Sequence, residues 1–233
     1  MSTRRPSPPV DPGPAALLYA LGEELRTPLA PIVTALELMR LKGDHGLGRE
    51  REAIARHVGR MSRLVDDLLE VARIMRGELE LSRERVELAP VVERGLDLAM
   101  PWLERRFPAL HVDVPEQGLA LVGDGRRLAQ AVQHLVCNAA RAIDPRGHIW
   151  IEGRAEGDRV RLTVRDDGAG MDGELLRRAF EPFVLAAHGG WEGDRGLGMA
   201  LARSLIEAHG GAVAARSEGP GTGSTFTVTL PRD

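Results

Sequence analysis

Apolar residues at Leu18, Leu21, Leu25, Pro28, Ile32, Ala35 and Met39 recur at alternating steps of three and four. That spacing lays one seam along a helix, as in a coiled coil. The Gly- and Asp-rich break KGDHGLG follows, and then a second seam at Ile54, Val58, Met61, Val65, Leu68, Ala72 and Met75. Two seamed helices joined by a short polar loop predict an antiparallel hairpin. Alone, such a hairpin cannot cover both seams. Burial contributes about 1.5–3 kcal/mol for each large apolar side chain, so pairing with a second copy into a four-helix bundle, a homodimer, is the expected solution. Pro28 and Pro31 fall inside the first helix, where the continuing seam predicts a kink rather than a stop.

After Gly77 the pattern changes. VELAPVVERGLDLAMPWLERR reads as a helix, ALHVDV and LALVG as short strands, and DGRRLAQAVQHLVCNAARAI as a long helix with Asp124 at its start. HIWIEGRA and RVRLTVRD alternate with period two around EGD, a hairpin, and AVAARSE and STFTVTL close the chain around PGTG. Two further helices are expected, near Gly173 to Phe180 and Leu197 to His209. The sum is an α+β protein, a helical hairpin followed by an α/β sandwich with a mixed sheet and helices on one face. The Pro-rich residues 1–13 read as a disordered tail, 14–78 as the hairpin and 79–233 as the second domain.

Composition excludes several classes. With 43% hydrophobic and 28% charged residues the chain matches ordinary globular proteins, and no apolar run approaches the roughly 20 residues of a membrane span. A cytoplasmic protein without membrane insertion is expected. The single cysteine, Cys137, allows no internal disulfide and no zinc module, and reads as a small core residue. A net charge of −3 with interspersed signs lacks the basic field of a nucleic-acid binder. Lys42 is the only lysine and no GxxxxGK occurs, so any nucleotide site is not of the Walker kind.

Four motifs in the second half follow one another: Asn138 in HLVCNAAR, DDGAG from Asp166 to Gly170, FEPF from Phe180 to Phe183, and RGLGMAL from Arg195. Singly, DDGAG fits an ordinary turn and RGLG an ordinary helix start. In this order, with ELRTPL ahead of them, they resemble the N, G1, F and G2 boxes of the histidine-kinase catalytic domain, the Bergerat ATP-binding fold, and the resemblance spans about residues 15–232. It implies ATP and Mg²⁺ as cofactors. Asn138 would offer Mg²⁺ an amide oxygen, and Arg141 would face the phosphates. Asp166 would accept a hydrogen bond from the adenine amino group, with Gly168 and Gly170 letting the backbone approach the nucleotide. Gly196, Leu197 and Gly198 would open a helix whose free N–H groups favour phosphate. The segment Val184 to Asp194 is similar to the mobile lid over ATP. His134, one turn before Asn138, joins the nucleotide-binding set, although a lone helix histidine is more often structural. Gyrase- and chaperone-type ATPases of this fold carry a glutamate there as general base, so His134 argues against fast hydrolysis.

The stretch Gly22-Glu23-Glu24-Leu25-Arg26-Thr27-Pro28-Leu29 resembles the family's dimerisation and phosphotransfer box, with Glu23 aligned on the phosphoacceptor histidine. With Leu18 and Leu25 at a positions, Glu23 takes an outward f position and Thr27 lies one turn along the same face. An imidazole forms a phosphoramidate; a carboxylate gives an acyl phosphate at best. Ionised Glu23 at ~4 Å from a phosphate charge would oppose approach by ~4 kcal/mol at an effective dielectric of 20, partly offset by Mg²⁺ and arginine. Glu24 matches the acid that assists the histidine, and Thr27 the residue that places water for dephosphorylation of a response regulator. His45 lies in the loop and His57 outside any matching box, so neither replaces the acceptor.

The expectation is therefore a histidine-kinase homologue that binds Mg·ATP and dimerises without autophosphorylating at the usual site. It would regulate a cognate histidine kinase or a response-regulator receiver domain by binding. Two alternatives stand beside it: a response-regulator phosphatase using Glu24 and Thr27, and an active kinase carrying an engineered His-to-Glu change at position 23. About 13 residues precede the hairpin, which leaves no room for a sensor, so input is expected from a partner or from a sensor that has been removed.

Overall fold

The computed structural model describes residues 29–36, 38, 39, 49, 51–55, 57–59, 61, 79–182, 184 and 196–233. The chain divides into two compact units, Met1–Val65 and Asp66–Asp233. In the first, residues 29–36, 38 and 39 are helical, as are 49, 51–55, 57–59 and 61. Pro31 lies within helix, with helical residues on both sides. Ala35 of the first seam is buried and Ile32 and Met39 are half-buried, whereas Leu29, Val33 and Leu36 beside it are exposed. In the second seam Val58 is 48% exposed on the single chain, while Ile54 and Met61 are half-buried.

The second unit contains β1 (Glu84–Glu87), α1 (Leu88–Arg106), β2 (Ala109–Asp113), β3 (Ala120–Gly123), α2 (Gly125–Ala142), β4 (His148–Glu156), β5 (Arg159–Asp166), α3 (Gly173–Arg177), α4 (Gly198–Ala208), β6 (Ala212–Arg216) and β7 (Ser224–Pro231). Five strands form one sheet in the order β2-β4-β5-β7-β6. The β2–β4 pair is parallel and the others antiparallel, which makes the sheet mixed as expected. α2 packs between α1 and α4, and both α2 and α4 lie on strands. Alternation drives the layering. Ile149 and Ile151 of β4, Val160, Leu162 and Val164 of β5, and Phe226, Val228 and Leu230 of β7 are buried, while Thr225, Thr227 and Thr229 between the last three are not.

Two boundaries correct the sequence expectation. The helix expected from Val86 begins at Leu88, because Val86 and Glu87 pair with Leu121 and Ala120 in a separate two-stranded β1–β3 ribbon. Glu87 Oε2 accepts the Leu119 N–H at 2.9 Å and holds that corner. Pro90 then falls in the first turn of α1, where its missing N–H has no intrahelical role. The helix expected up to Phe180 stops at Arg177, and Phe180 instead meets Phe226 edge to face, with ring centroids 6.1 Å apart.

Candidate nucleotide site

The candidate site is built where α2, packed against β5, runs beside α4. The period-two register that buries Val160, Leu162 and Val164 also carries Asp166 to the inner face, where it is 2% exposed. Its Oδ1 accepts the N–H groups of Gly168 at 2.9 Å and Ser224 at 3.2 Å. Its Oδ2 is buried and has no hydrogen-bond partner among the described residues. Burial pushes the carboxyl up to about 6 against the pull of those two N–H groups, and neighbouring Asp167 adds to the rise. A buried acceptor left without a donor costs about 1–3 kcal/mol unless a ligand supplies one.

Asp166 is fixed by a turn that the sequence marked only as a closing hairpin. Gly223 donates to the Gly168 carbonyl at 3.0 Å and Gly221 to the Ala169 carbonyl at 2.6 Å. The Ser217 hydroxyl accepts the Met171 N–H at 2.9 Å and donates to the Gly223 carbonyl at 2.8 Å. A Cβ on Gly168 would stand 2.3 Å from the Ala142 carbonyl, and one on Gly170, whose φ is +64°, would stand 2.2 Å from the Gly219 carbonyl. Both glycines are therefore required by neighbouring protein backbone, a role the sequence did not show.

α2 supplies the next groups. Asp124 caps it by accepting the Arg126 and Arg127 N–H groups, both at 3.1 Å. Three turns on, the His134 ring packs against the start of α4, since a Cβ on Gly198 would meet His134 Nδ1 at 2.9 Å. His134 Nε2 is buried and has no hydrogen-bond partner among the described residues. Burial, then the charge of Arg141, pull this imidazole down to about 4, so it is neutral at pH 7. A base that weak is a poor acceptor of a proton from water.

Asn138 is half-buried one turn beyond, and its Oδ1 accepts from Arg141 Nη2 at 3.4 Å. A carbonyl oxygen has two lone pairs, so this bond leaves one for a cation. Burial draws Arg141 down to about 10, which keeps it charged at neutral pH. Arg141 also lines a cleft with Trp102, Arg105, Arg106 and Ala140. Cys137 is 9% exposed and its thiol is pushed up to about 12 by burial, as fits a core residue.

Gly196 (φ +63°) and Leu197 are buried, and α4 starts at Gly198 with no side-chain cap. Its first N–H groups and the positive end of its dipole are suited to phosphate. Thus His134 meets Gly198, Asn138 bonds Arg141 one turn further along α2, and the turn after Asp166 is tied to the end of α2 by the Ala169 N–H on the Ala142 carbonyl. The residues fit Mg·ATP: an orphaned acceptor for an amino group, an amide oxygen for a hard cation, a guanidinium and a helix start for phosphates. Among the described residues no three His, Cys, Asp or Glu side chains gather as metal ligands, so Asn138 would share Mg²⁺ with phosphate oxygens and water. Bound there, Mg·ATP supplies a γ-phosphate activated for transfer. Glu23, Glu24, Thr27, His45, Phe183 and residues 185–195 of the expected lid lie outside the described residues.

Sequence reasoning missed Ser217, Gly223 and Ser224, which brace Asp166. No local sequence signal marked them, because Asp166 meets Ser224 only through the pairing of β5 with β7.

The model of the histidine kinase-, DNA gyrase B- and HSP90-like ATPases matches residues 123–233, and that of the His Kinase A (phospho-acceptor) domain matches residues 15–77, a span that includes Glu23. The sensor protein DivL of Caulobacter vibrioides is 38% identical over 210 residues, 89% of this chain and 27% of that protein. Full-length ShkA in complex with AMPPNP superposes with a TM-score of 0.67 at 26% identity, over 92% of this chain and 45% of that one. The histidine kinase ThkA in complex with the response regulator TrrA shares the fold with a TM-score of 0.73 at 22% identity, over 93% of this chain and 61% of that one. The chain belongs to the sensor histidine kinase family. It spans about a quarter to a third of the length of the first curated relatives it matches. Among the described residues no helix is long and apolar enough to cross a membrane.

Proposed function

We propose that the chain is a two-component histidine-kinase homologue that binds Mg·ATP and dimerises through its 14–78 hairpin but does not autophosphorylate at position 23. It acts by binding a cognate kinase or a receiver domain, with the nucleotide setting the conformation of the 79–233 domain. The observation that carries this reading is the buried, unpartnered Oδ2 of Asp166, taken with the Asn138, Arg141 and Gly196–Gly198 groups and set against a carboxylate at the acceptor position. AMPPNP in ShkA supports the nucleotide, and the ThkA–TrrA complex supports a receiver-domain partner. Exposed Leu29, Val33, Leu36 and Val58 on the helices of the first unit support a second copy as their cover.

Glu23 blocks transfer twice. Its oxygen gives at best an acyl phosphate, and its charge opposes the phosphate that approaches it. The test is autophosphorylation with γ-labelled Mg·ATP on the chain as it stands and on Glu23→His. Label in the histidine variant alone is expected; label in the parent chain overturns the reading. Glu24 and Thr27 favour one alternative, dephosphorylation of a receiver domain, for which Thr27→Ala should abolish loss of phosphate from the partner.

A further inference from the structure

The end of the α2–α4 pair opposite the nucleotide site is organised by His209. This side chain is 2% exposed. Its Nδ1 bonds the Leu205 carbonyl at 2.7 Å and its Nε2 bonds the Asp124 N–H at 3.0 Å. A carbonyl only accepts and an amide N–H only donates, so the proton sits on Nδ1 and the lone pair on Nε2. Around the same ring, Asp124 Oδ2 accepts the Ser82 N–H at 3.1 Å and Arg83 Nη2 donates to the Ala208 carbonyl at 2.8 Å. A Cβ on Gly123 would stand 2.7 Å from His209 Cδ2. The approach to β1, the end of β3, the start of α2 and the end of α4 therefore meet on one imidazole.

The geometry along the pair is matched. From Asp124 to His134 is a rise of about 15 Å, and from His209 back to Gly198 about 16 Å, at about 1.5 Å per residue. The helices are antiparallel, so the Asp124–His209 bond and the His134–Gly198 contact are the two ends of one frame. Apolar packing between helices tolerates small slides; a buried directional bond with a single donor and a single acceptor does not.

We propose that His209 is a positioning residue of the nucleotide site: its Nε2 lone pair, by holding the Asp124 N–H, sets the axial register of α2 against α4. Asn138 and His134 are thereby kept at their distance from the Gly196–Gly198 helix start. The inference rests on the nucleotide reading above. It also gives the segment at Ser82 and Arg83, through which the chain arrives from the hairpin, a bonded connection to both helices of the site.

Two isosteres separate this role from a merely structural one. A glutamine at 209 can place Oε1 where Nε2 stands and keep the acceptor; an asparagine reaches only the Nδ1 position and keeps the donor. Each loses one of two buried bonds, so both should lower the Tm by similar amounts. AMPPNP affinity, measured by calorimetry on the full chain with Mg²⁺ at pH 7.5, should stay within about threefold of the parent for His209→Gln and fall at least about tenfold for His209→Asn. Equal affinities in the two variants, or losses that merely follow Tm, overturn the proposal. If His209→Asn does not fold, Gly123→Ala displaces the ring with both bonding groups in place, and an unchanged affinity there overturns it equally. If the parent itself fails to bind AMPPNP, the nucleotide reading falls instead. The register is then judged by amide exchange at residues 198–200, where faster exchange in His209→Asn than in His209→Gln supports the proposal and equal rates refute it.

Discussion

The two ends of the α2–α4 pair use the same residue types and treat them in opposite ways. At one end Asp124 and His209 have their polar side-chain atoms bonded: Asp124 Oδ1 and Oδ2 accept three N–H groups, and both nitrogens of His209 are engaged. At the other end Asp166 and His134 each keep one buried atom without a partner among the described residues. The pKa directions divide the same way for the carboxyls. Burial raises both, but at Asp124 the N–H groups of Arg127, Ser82 and Arg126 outweigh it and the net shift is downward, while at Asp166 burial wins and the value stands at about 6. An unmet buried polar atom costs about 1–3 kcal/mol, and folds keep such atoms where a ligand repays the loss. The bonded end serves as architecture, and the unbonded end is where we propose that the nucleotide binds.

The strongest test of that contrast is Asp166→Asn. The amide can keep its oxygen on the Gly168 and Ser224 N–H groups while presenting NH₂ where an acceptor is needed, so AMPPNP affinity should fall about 100-fold or more with the fold intact. Titration calorimetry with thermal unfolding on the same sample checks both. The pH dependence has a definite sign. Asp166 has its folded value at about 6, above its ordinary 3.8, so its contribution to stability is fully present at low pH and is lost as pH rises from about 4 through about 6. The loss is at most about 3 kcal/mol, at about 1.4 kcal/mol per unit. Parent minus Asp166→Asn isolates it from His134, whose value is lowered to about 4 and whose contribution is lost in the opposite direction, as pH falls below about 6.5. Nucleotide affinity should rise with pH through about 6, because only the ionised carboxylate offers two accepting oxygens.

Gly198→Ala comes next. Its Cβ would press on His134 Nδ1 at 2.9 Å, which should cost about 1–3 kcal/mol in stability and about tenfold in AMPPNP affinity. Adding His134→Ala should restore part of both, a non-additivity that a double-mutant cycle reads directly. The smallest effect on binding belongs to the architectural end. Asp124→Ala removes the cap of α2 and should lower stability by about 1–2 kcal/mol while affinity stays within about threefold, because the backbone N–H that His209 holds remains. The cap is charged, so its contribution should disappear as pH falls through the lowered value of Asp124.

Much of this was legible beforehand where the signal was local or periodic. The alternation in RVRLTVRD carries Asp166 inward together with Val160, Leu162 and Val164, and the helix pattern places His134, Asn138 and Arg141 one turn apart from each other. Where the signal was long-range it was lost. Val86 and Glu87 read as the start of a helix because nothing nearby shows that Leu121 and Ala120 will pair with them. PGTG read as a plain turn, although Gly221 and Gly223 reach back over fifty residues to brace the Asp166 corner. His209 drew no attention, since a histidine at the end of a helix is unremarkable until its Nε2 is found 3.0 Å from the Asp124 N–H.

Sequence by itself determined the kinds of groups this protein has and the periodicity on which they stand: apolar seams with Glu23 ahead of the second of them, and Asn, Asp and Gly boxes in order behind. Periodicity suffices for that, because it follows from backbone geometry within a few residues. Tertiary structure alone decided which polar atoms are satisfied. That depends on donors and acceptors arriving from segments 58 residues away in the case of Ser224 and Asp166, and 85 residues away in the case of Asp124 and His209. Only packing of the whole domain brings such groups within the roughly 3 Å at which a hydrogen bond forms.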